Sequence, residues 1–419
     1  MSHDAERMPR EALRALQLER LRETVGRVLA GAPPLRDRLL EAGVEAPEAI
    51  GSLADLARLP FTEKADLREH YPFGLLAVPR ERLARIHASS GTGGKPTLVG
   101  YTAGDLEIWG EVMARCMAMA GVRPGMLVHN AYGYGLFTGG LGFHHGAERL
   151  GVTVLPVSSG RTSRQALLLH DLQAEVLCCT PSYALTIAEA VESAGLGPDD
   201  LSLEVGLFGA EPWSEPMRAQ LERRLGLRAR NFYGLSEIIG PGVSAECEAG
   251  DGAHLIEDHF LVEELDGELV ITTLTKQALP LIRYRTGDIA DVTEAPCACG
   301  RTLARMGPVR GRRDDMLILR GVNLYPSEIE HVLLGVEGVA PHYELTVERP
   351  GASDEVSVRC EEDGPGDRAA LAARVHAALR ERTGLGIEVE LVDPGVLPRS
   401  EGKAARVIDR RKSVDTRTP

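Results

Sequence analysis

Between residues 11 and 30 the apolar positions Leu13, Leu16, Leu18, Leu21, Val25 and Val28 recur at broadly helical spacings among arginines and glutamates. This predicts an amphipathic helix, closed by Pro33-Pro34, with a shorter helix around 35–42. Farther on, Thr102 is placed to cap a helix in which Leu106, Trp109, Met113, Cys116 and Ala120 recur at three- and four-residue steps, with Asp105 in the first turn. The pattern then changes. Apolar runs at 126–131, 152–157, 176–179 and 205–208 alternate with helical stretches, which predicts βα units and a largely parallel sheet. Ligands of such sheets gather at the C-terminal ends of the strands. The last hundred or so residues read strand, strand, helix, strand (343–347, 356–360, 368–383, 387–392), a small α+β unit.

Composition narrows the class. With 419 residues, 43% hydrophobic and 26% charged, the chain can form two or more packed domains of ordinary globular type. Acidic residues outnumber basic ones 61 to 47, a net charge of -14, which argues against nucleic acid or an anionic membrane as the main partner. No apolar run approaches the ~20 residues of a membrane span, and the first residues carry no apolar signal core, so a cytoplasmic protein is expected. The seven cysteines lack the spacing of a disulfide framework and are expected to be reduced.

Candidate chemistry begins at Ser89-Ser90-Gly91-Thr92-Gly93-Gly94-Lys95-Pro96. Small residues let backbone N–H groups converge on an anion, while hydroxyls and one lysine add donors and charge. It is not a P-loop, because Pro96 stands where that motif needs Ser or Thr. Taken alone, a stretch of this kind is more often a solvated loop. The segment 130–140 carries Tyr132, Tyr134 and Phe137 among glycines in a chain only 4% aromatic, and reads as a tight turn with core aromatics or as the wall of a flat ligand. Cys247, His254, Cys297 and Cys299 are either a Cys3His set suited to a structural zinc or four unrelated residues beside glycine turns.

More specific signals follow: Tyr233-Gly234-Leu235-Ser236-Glu237, Tyr284-Arg285-Thr286-Gly287-Asp288, Gly311-Arg312-Arg313-Asp314-Asp315 and Pro398-Arg399-Ser400-Glu401-Gly402-Lys403. With the Ser/Thr/Gly loop, Cys179-Thr180-Pro181-Ser182-Tyr183 and Gly209-Ala210-Glu211-Pro212-Trp213, they resemble the phenylacetate-CoA ligase branch of the adenylate-forming enzymes over nearly the whole chain.

That resemblance implies an α/β fold with a large N-terminal domain, 1–312, of mainly parallel sheets and helices, and a small mobile α+β C-terminal domain, 313–419, turning about Asp314. It implies ATP-dependent adenylation of an aromatic carboxylic acid and transfer of the acyl group to CoA. Ser89, Ser90, Gly91, Thr92, Gly93, Gly94 and Lys95 would hold phosphates, with Gly93 standing where the family has threonine. Gly209, Ala210, Glu211, Tyr233 and Gly234 would lie along the adenine, Ser236 would reach the α-phosphate, and Glu237 would hold Mg2+. Asp288 would accept the ribose hydroxyls, with Arg312 on the ribose or phosphate side. Tyr132, Phe137, Gly139, Ile238 and Pro241 would border the acid, Gly321 the pantetheine of CoA, and Lys403 would enter during adenylation. Two alternatives stay open: a carrier protein or amine as acceptor, or a non-catalytic sensor of the acyl-adenylate. A homodimer is also left open.

Overall fold

The Arg10–Gly31 and Pro33–Glu41 helices form as the spacing predicts, and Pro33 does more than stop the first. It occupies the first turn of the second, where its missing N–H is no loss. The structure is a computed structural model that describes residues 4–89, 96–319, 322–350, 354–404 and 406–413. Ser90, Gly91, Thr92, Gly93, Gly94, Lys95 and Gly321 lie outside the described residues.

The predicted cap at Thr102 is present. Its Oγ1 accepts Asp105 N at 3.0 Å, and Asp105 Oδ2 accepts Thr102 N at 2.8 Å, opening the Ala103–Met119 helix. Asp105 is fully buried because it also accepts Gln277 N and Ala278 N, at 2.6 and 3.0 Å. One carboxylate thus caps a helix and anchors a distant loop.

The main sheet has nine strands, and only five neighbours are mutually parallel: Thr153–Leu155, Leu127–Asn130, Val176–Cys179, Val205–Gly209 and Arg228–Tyr233. Beyond Tyr233 the connections at 234–243 and 247–252 are too short for a crossover helix, so the sheet continues antiparallel through Ser244–Glu246 and Ala253–Leu255. The sheet is therefore more mixed than the alternating pattern predicted. Residues of the parallel strands alternate between two apolar clusters: Val128, Cys178 and Leu207 face one, Leu177, Cys179 and Phe208 the other. Cys178 and Cys179 consequently point to opposite faces as buried free thiols.

A second sheet pairs Phe260–Leu265, Glu268–Thr273, Tyr284–Ile289 and Gly311–Arg312 antiparallel. Its first turn is Asp266-Gly267, with φ of +52° and +79°, the two-residue geometry that matches strand twist. Its last pairing sets Asp288 opposite Arg312.

From residue 317 on the chain builds its own apolar cluster, around Ile329, Leu345, Val358 and Leu379. Strands Val339–Glu348, Glu355–Glu362, Glu388–Val392 and Val407–Asp409 form one sheet packed by the Pro326–Gly335 and Arg368–Thr383 helices. The Pro326–Gly335 helix and the Val407–Asp409 strand were not expected; both are short, the helix made by the face it buries and the strand by its pairing with Val339–Glu348. No described helix is long and apolar enough to cross a membrane.

Candidate active site

Two parallel strands end at one cleft. Val205–Gly209 delivers Ala210 and Glu211, and Arg228–Tyr233 delivers Gly234 and Leu235, with Ser236 and Glu237 next along the chain. The second sheet adds Asp288 and Arg312, and the C-terminal region adds the exposed Lys403. Ala210, Glu211, Tyr233, Gly234, Asp288, Arg312 and Lys403, seven of the candidate site residues read from the sequence, line one cavity.

Asp288 sits at its back. Tyr233 Oη donates to Asp288 Oδ2 at 2.7 Å and Arg312 Nη1 to Oδ1 at 2.9 Å. Burial pushes the Asp288 carboxyl up, against the pull of Arg312 and Tyr233. Arg312 also reaches Asp314 Oδ1 at 2.9 Å, tying the expected hinge residue to the cleft.

The Ser236-Glu237 turn is fixed from beneath. Tyr101 Oη donates to Ser236 O at 2.8 Å and Lys276 Nζ to Glu237 O at 2.7 Å. Above them Thr138 Oγ1 lies 3.0 Å from Ser236 Oγ, and Ser89 Oγ donates to Glu237 Oε1 at 3.0 Å. Lys276 is wholly buried, with Nζ 4.7 Å from the Tyr101 ring centre. Burial lowers it to about 8, against Asp105 and Glu237, which favour its charge. Sequence reasoning missed it: a single lysine in a loop carries no mark of burial. Ala210, in the cavity lining, and the buried Ile239, which follows the Ser236-Glu237 turn, have φ of +72° and +64°, a costly conformation for side chains with a Cβ and above all for a β-branched one.

The expected acid wall is brought together in part. Tyr132 is buried and stacks on Phe143 at 4.9 Å; Phe143 packs on Phe232 at 5.2 Å, and Phe232 reaches the cavity. Gly139 lies against Tyr132, where a Cβ would come within 3.1 Å of its ring. Ile238 is buried, and Pro241 O accepts Trp109 Nε1 at 2.9 Å. Phe137 differs: it is 55% exposed and faces outward. Glu211 differs too. Its Oε1 accepts Ser182 N at 2.8 Å and its Oε2 Ala404 N at 2.9 Å, so its carboxylate joins protein segments.

Away from the cleft, Cys247, His254, Cys297 and Cys299 converge, their ligand atoms all within 4.8 Å of one another. Cys247 Sγ is 3.7 Å from Cys297 Sγ, and Cys299 Sγ is 3.3 Å from His254 Nε2. His254 Nδ1 meets Leu303 O at 3.2 Å, which places the ring proton there and leaves Nε2 as a donor atom toward the thiols.

The chain is 52% identical to the phenylacetate-coenzyme A ligase of Thermus thermophilus, over 98% of this chain and 99% of that one. It belongs to the phenylacetate-coenzyme A ligase family. The phenylacetate-coenzyme A ligase of Escherichia coli is 46% identical over 96% of both chains. Residues 321–411 of this ligase match the AMP-binding enzyme C-terminal domain. It is an acid–thiol ligase, adenylating a carboxylic acid with ATP and then forming the CoA thioester. Among solved structures, 2-hydroxyisobutyryl-CoA ligase in the postadenylation state superimposes with a TM-score of 0.92 at 29% identity, covering 98% of this chain and 92% of that one. The same enzyme in the thioesterification state, with 2-HIB-AMP and CoA, gives 0.72 at 31% identity over the same shares. The overall arrangement thus superimposes more closely on that enzyme's postadenylation structure than on its thioesterification structure.

Proposed function

We propose that this ligase activates an arylacetic acid of the phenylacetate class and transfers the acyl group to CoA. Identities of 45–52% to four phenylacetate-coenzyme A ligases support the acid, and the Tyr132–Phe143–Phe232 aromatic cluster, which reaches the cavity through Phe232, suits a flat ring. The observation that carries the reading is Lys403 lining one cavity with Asp288, Tyr233 and Arg312.

In the first half-reaction a carboxylate oxygen of the acid attacks the α-phosphorus of ATP, the bond to the β-phosphate bridging oxygen breaks, and pyrophosphate leaves. Asp288 holds the ribose by its hydroxyls, Tyr233 flanks the adenine, Ser236 donates to the α-phosphate, and Lys403 offsets the charge that builds there. The carboxylate of Glu237 would hold Mg2+, a cation that favours such oxygen ligands and would supply positive charge against the triphosphate. The C-terminal unit then turns about Asp314 and withdraws Lys403. In the second half-reaction the CoA thiolate attacks the acyl-adenylate carbonyl, AMP leaves, and the thiol proton goes to solvent. The Cys247, His254, Cys297 and Cys299 set would hold a structural zinc, a metal whose tetrahedral preference four donors of this kind would satisfy without leaving a position for catalysis.

The test is pyrophosphate release from ATP across aryl and aliphatic acids, with and without CoA. Release that needs an arylacetic acid, with acyl-CoA formed only when CoA is present, is expected. Release without acyl-CoA would favour a carrier protein or amine as acceptor; no release with any acid would favour the sensor.

A further inference from the structure

The segment that carries Lys403 is fastened to the Pro181–Ser193 helix, which lies outside the nucleotide cavity. Thr180 Oγ1, at the cap of that helix, donates to Gly402 O at 2.9 Å, and Thr186 Oγ1 donates to Ser400 O at 3.2 Å. These are neutral contacts with backbone, each worth little net. One helical turn on, Glu189 makes a charged one. Its Oε2 accepts Arg399 Nε at 2.7 Å and its Oε1 meets His342 Nε2 at 2.7 Å. Arg399 turns its other two nitrogens onto Glu361, Nη1 to Oε1 and Nη2 to Oε2 at 2.8 Å each, and Glu361 is 1% exposed. The guanidinium fork is thus held rigidly by the C-terminal sheet while its Nε faces the helix.

We propose that Glu189 is a positioning residue for adenylation: through Arg399 and His342 it holds the C-terminal unit where Lys403 faces the cavity. The inference rests on the reading that Lys403 serves the first half-reaction and is withdrawn for the second. Arg399 and His342 both belong to the C-terminal unit, so they meet Glu189 only while the two units are seated as here. An interaction made in one arrangement and absent from the other shifts the population between them by its full differential strength. Two charge-assisted contacts on a half-buried carboxylate correspond to about tenfold or more in that equilibrium. Glu189 touches neither nucleotide nor acid, so its effect falls on the share of molecules with Lys403 in place and not on ATP affinity within that arrangement.

The experiment separates the half-reactions in Glu189→Ala and Glu189→Gln. Acyl-adenylate formation is read as pyrophosphate release in a single turnover with phenylacetate, and thioester formation as CoA-dependent AMP release from supplied phenylacetyl-adenylate. Adenylation is expected to fall about tenfold in Glu189→Ala and less in Glu189→Gln, with thioester formation unchanged or faster. Glu192→Ala, which removes an exposed pair with Arg224 on the same helix, is expected to leave both unchanged. Equal slowing of both half-reactions in Glu189→Ala, or no slowing of adenylation, overturns the proposal. Lys403→Ala tests the underlying reading separately. If it retains adenylation, that reading fails; if it loses adenylation while Glu189→Ala does not, only the role of Glu189 fails.

Discussion

Lys276 is the residue whose chemistry is least expected from its surroundings. Burying an ammonium costs several kcal/mol, and its contacts here are a carbonyl, a ring face and the more distant charges of Asp105 and Glu237. What it secures is the carbonyl of Glu237, so its cost is set against the geometry of the Ser236-Glu237 turn. Replacing it with the similarly long, uncharged methionine removes the desolvation penalty and leaves that carbonyl without its donor, two stability effects of opposite sign and about 1–3 kcal/mol each. Lys276→Met is therefore predicted to shift Tm by only a few degrees while lowering the rate of pyrophosphate release about tenfold or more. A large fall in Tm with normal turnover would mean that the lysine serves folding instead.

Among the elements, the Cys3His cluster joins pieces that pair weakly otherwise. Ala253–Leu255 carries His254 and pairs with only two residues of Arg305–Met306, and the Cys297–Cys299 loop hangs from that short ladder. Arg7 Nη2 donates to Cys299 O at 3.0 Å, so the N-terminal turn rests on the same loop. A four-coordinate zinc here would clamp all three. One zinc per chain is predicted by elemental analysis, with a Tm several degrees lower after chelation. Cys297→Ser is expected to retain less than one equivalent. Metal-free protein with an unchanged melt on adding zinc would reject the site.

At the scale of the whole molecule, a buried ion network ties the N-terminal segments to the body of the protein. Arg115, from the Ala103–Met119 helix, grips Asp258 through two bonds of 2.9 Å and also reaches Glu6 Oε1 at 3.2 Å, while Arg20 approaches Asp258 from the Arg10–Gly31 helix. Burial alone would raise the Asp258 carboxyl; His259, Arg115 and Arg20 outweigh it and hold it down to about 2. Because the folded value lies below the ordinary 3.8, this stabilisation is fully present above pH ~4 and is lost as pH falls toward 2. The difference amounts to about 2 kcal/mol. Urea midpoints measured from pH 6 to pH 2 are predicted to fall more steeply for the natural chain than for Asp258→Asn, which is less stable at neutral pH through its uncompensated arginine. Parallel curves would show that other carboxylates govern the acid limb.

What lies within a few residues along the chain was legible in advance. The Thr102 cap, the amphipathic helices and the parallel strands follow from local dihedral preference and periodicity, and motifs such as Tyr233 to Glu237 and Tyr284 to Asp288 carry side chains whose chemistry is fixed by their type. Distance was not legible. The pairing of Asp288 with Arg312, the outward turn of Phe137, the use of both Glu211 oxygens to join segments, the burial of Lys276 and the grip of Arg399 on Glu189 all depend on which strand lies beside which, and in what register. Periodicity tells a strand which face to bury but not which neighbour it meets, since many registers satisfy the same alternation. The four zinc candidates stand between the two cases: their type named the chemistry, and only the folding of three distant segments onto one another brought their donor atoms within reach.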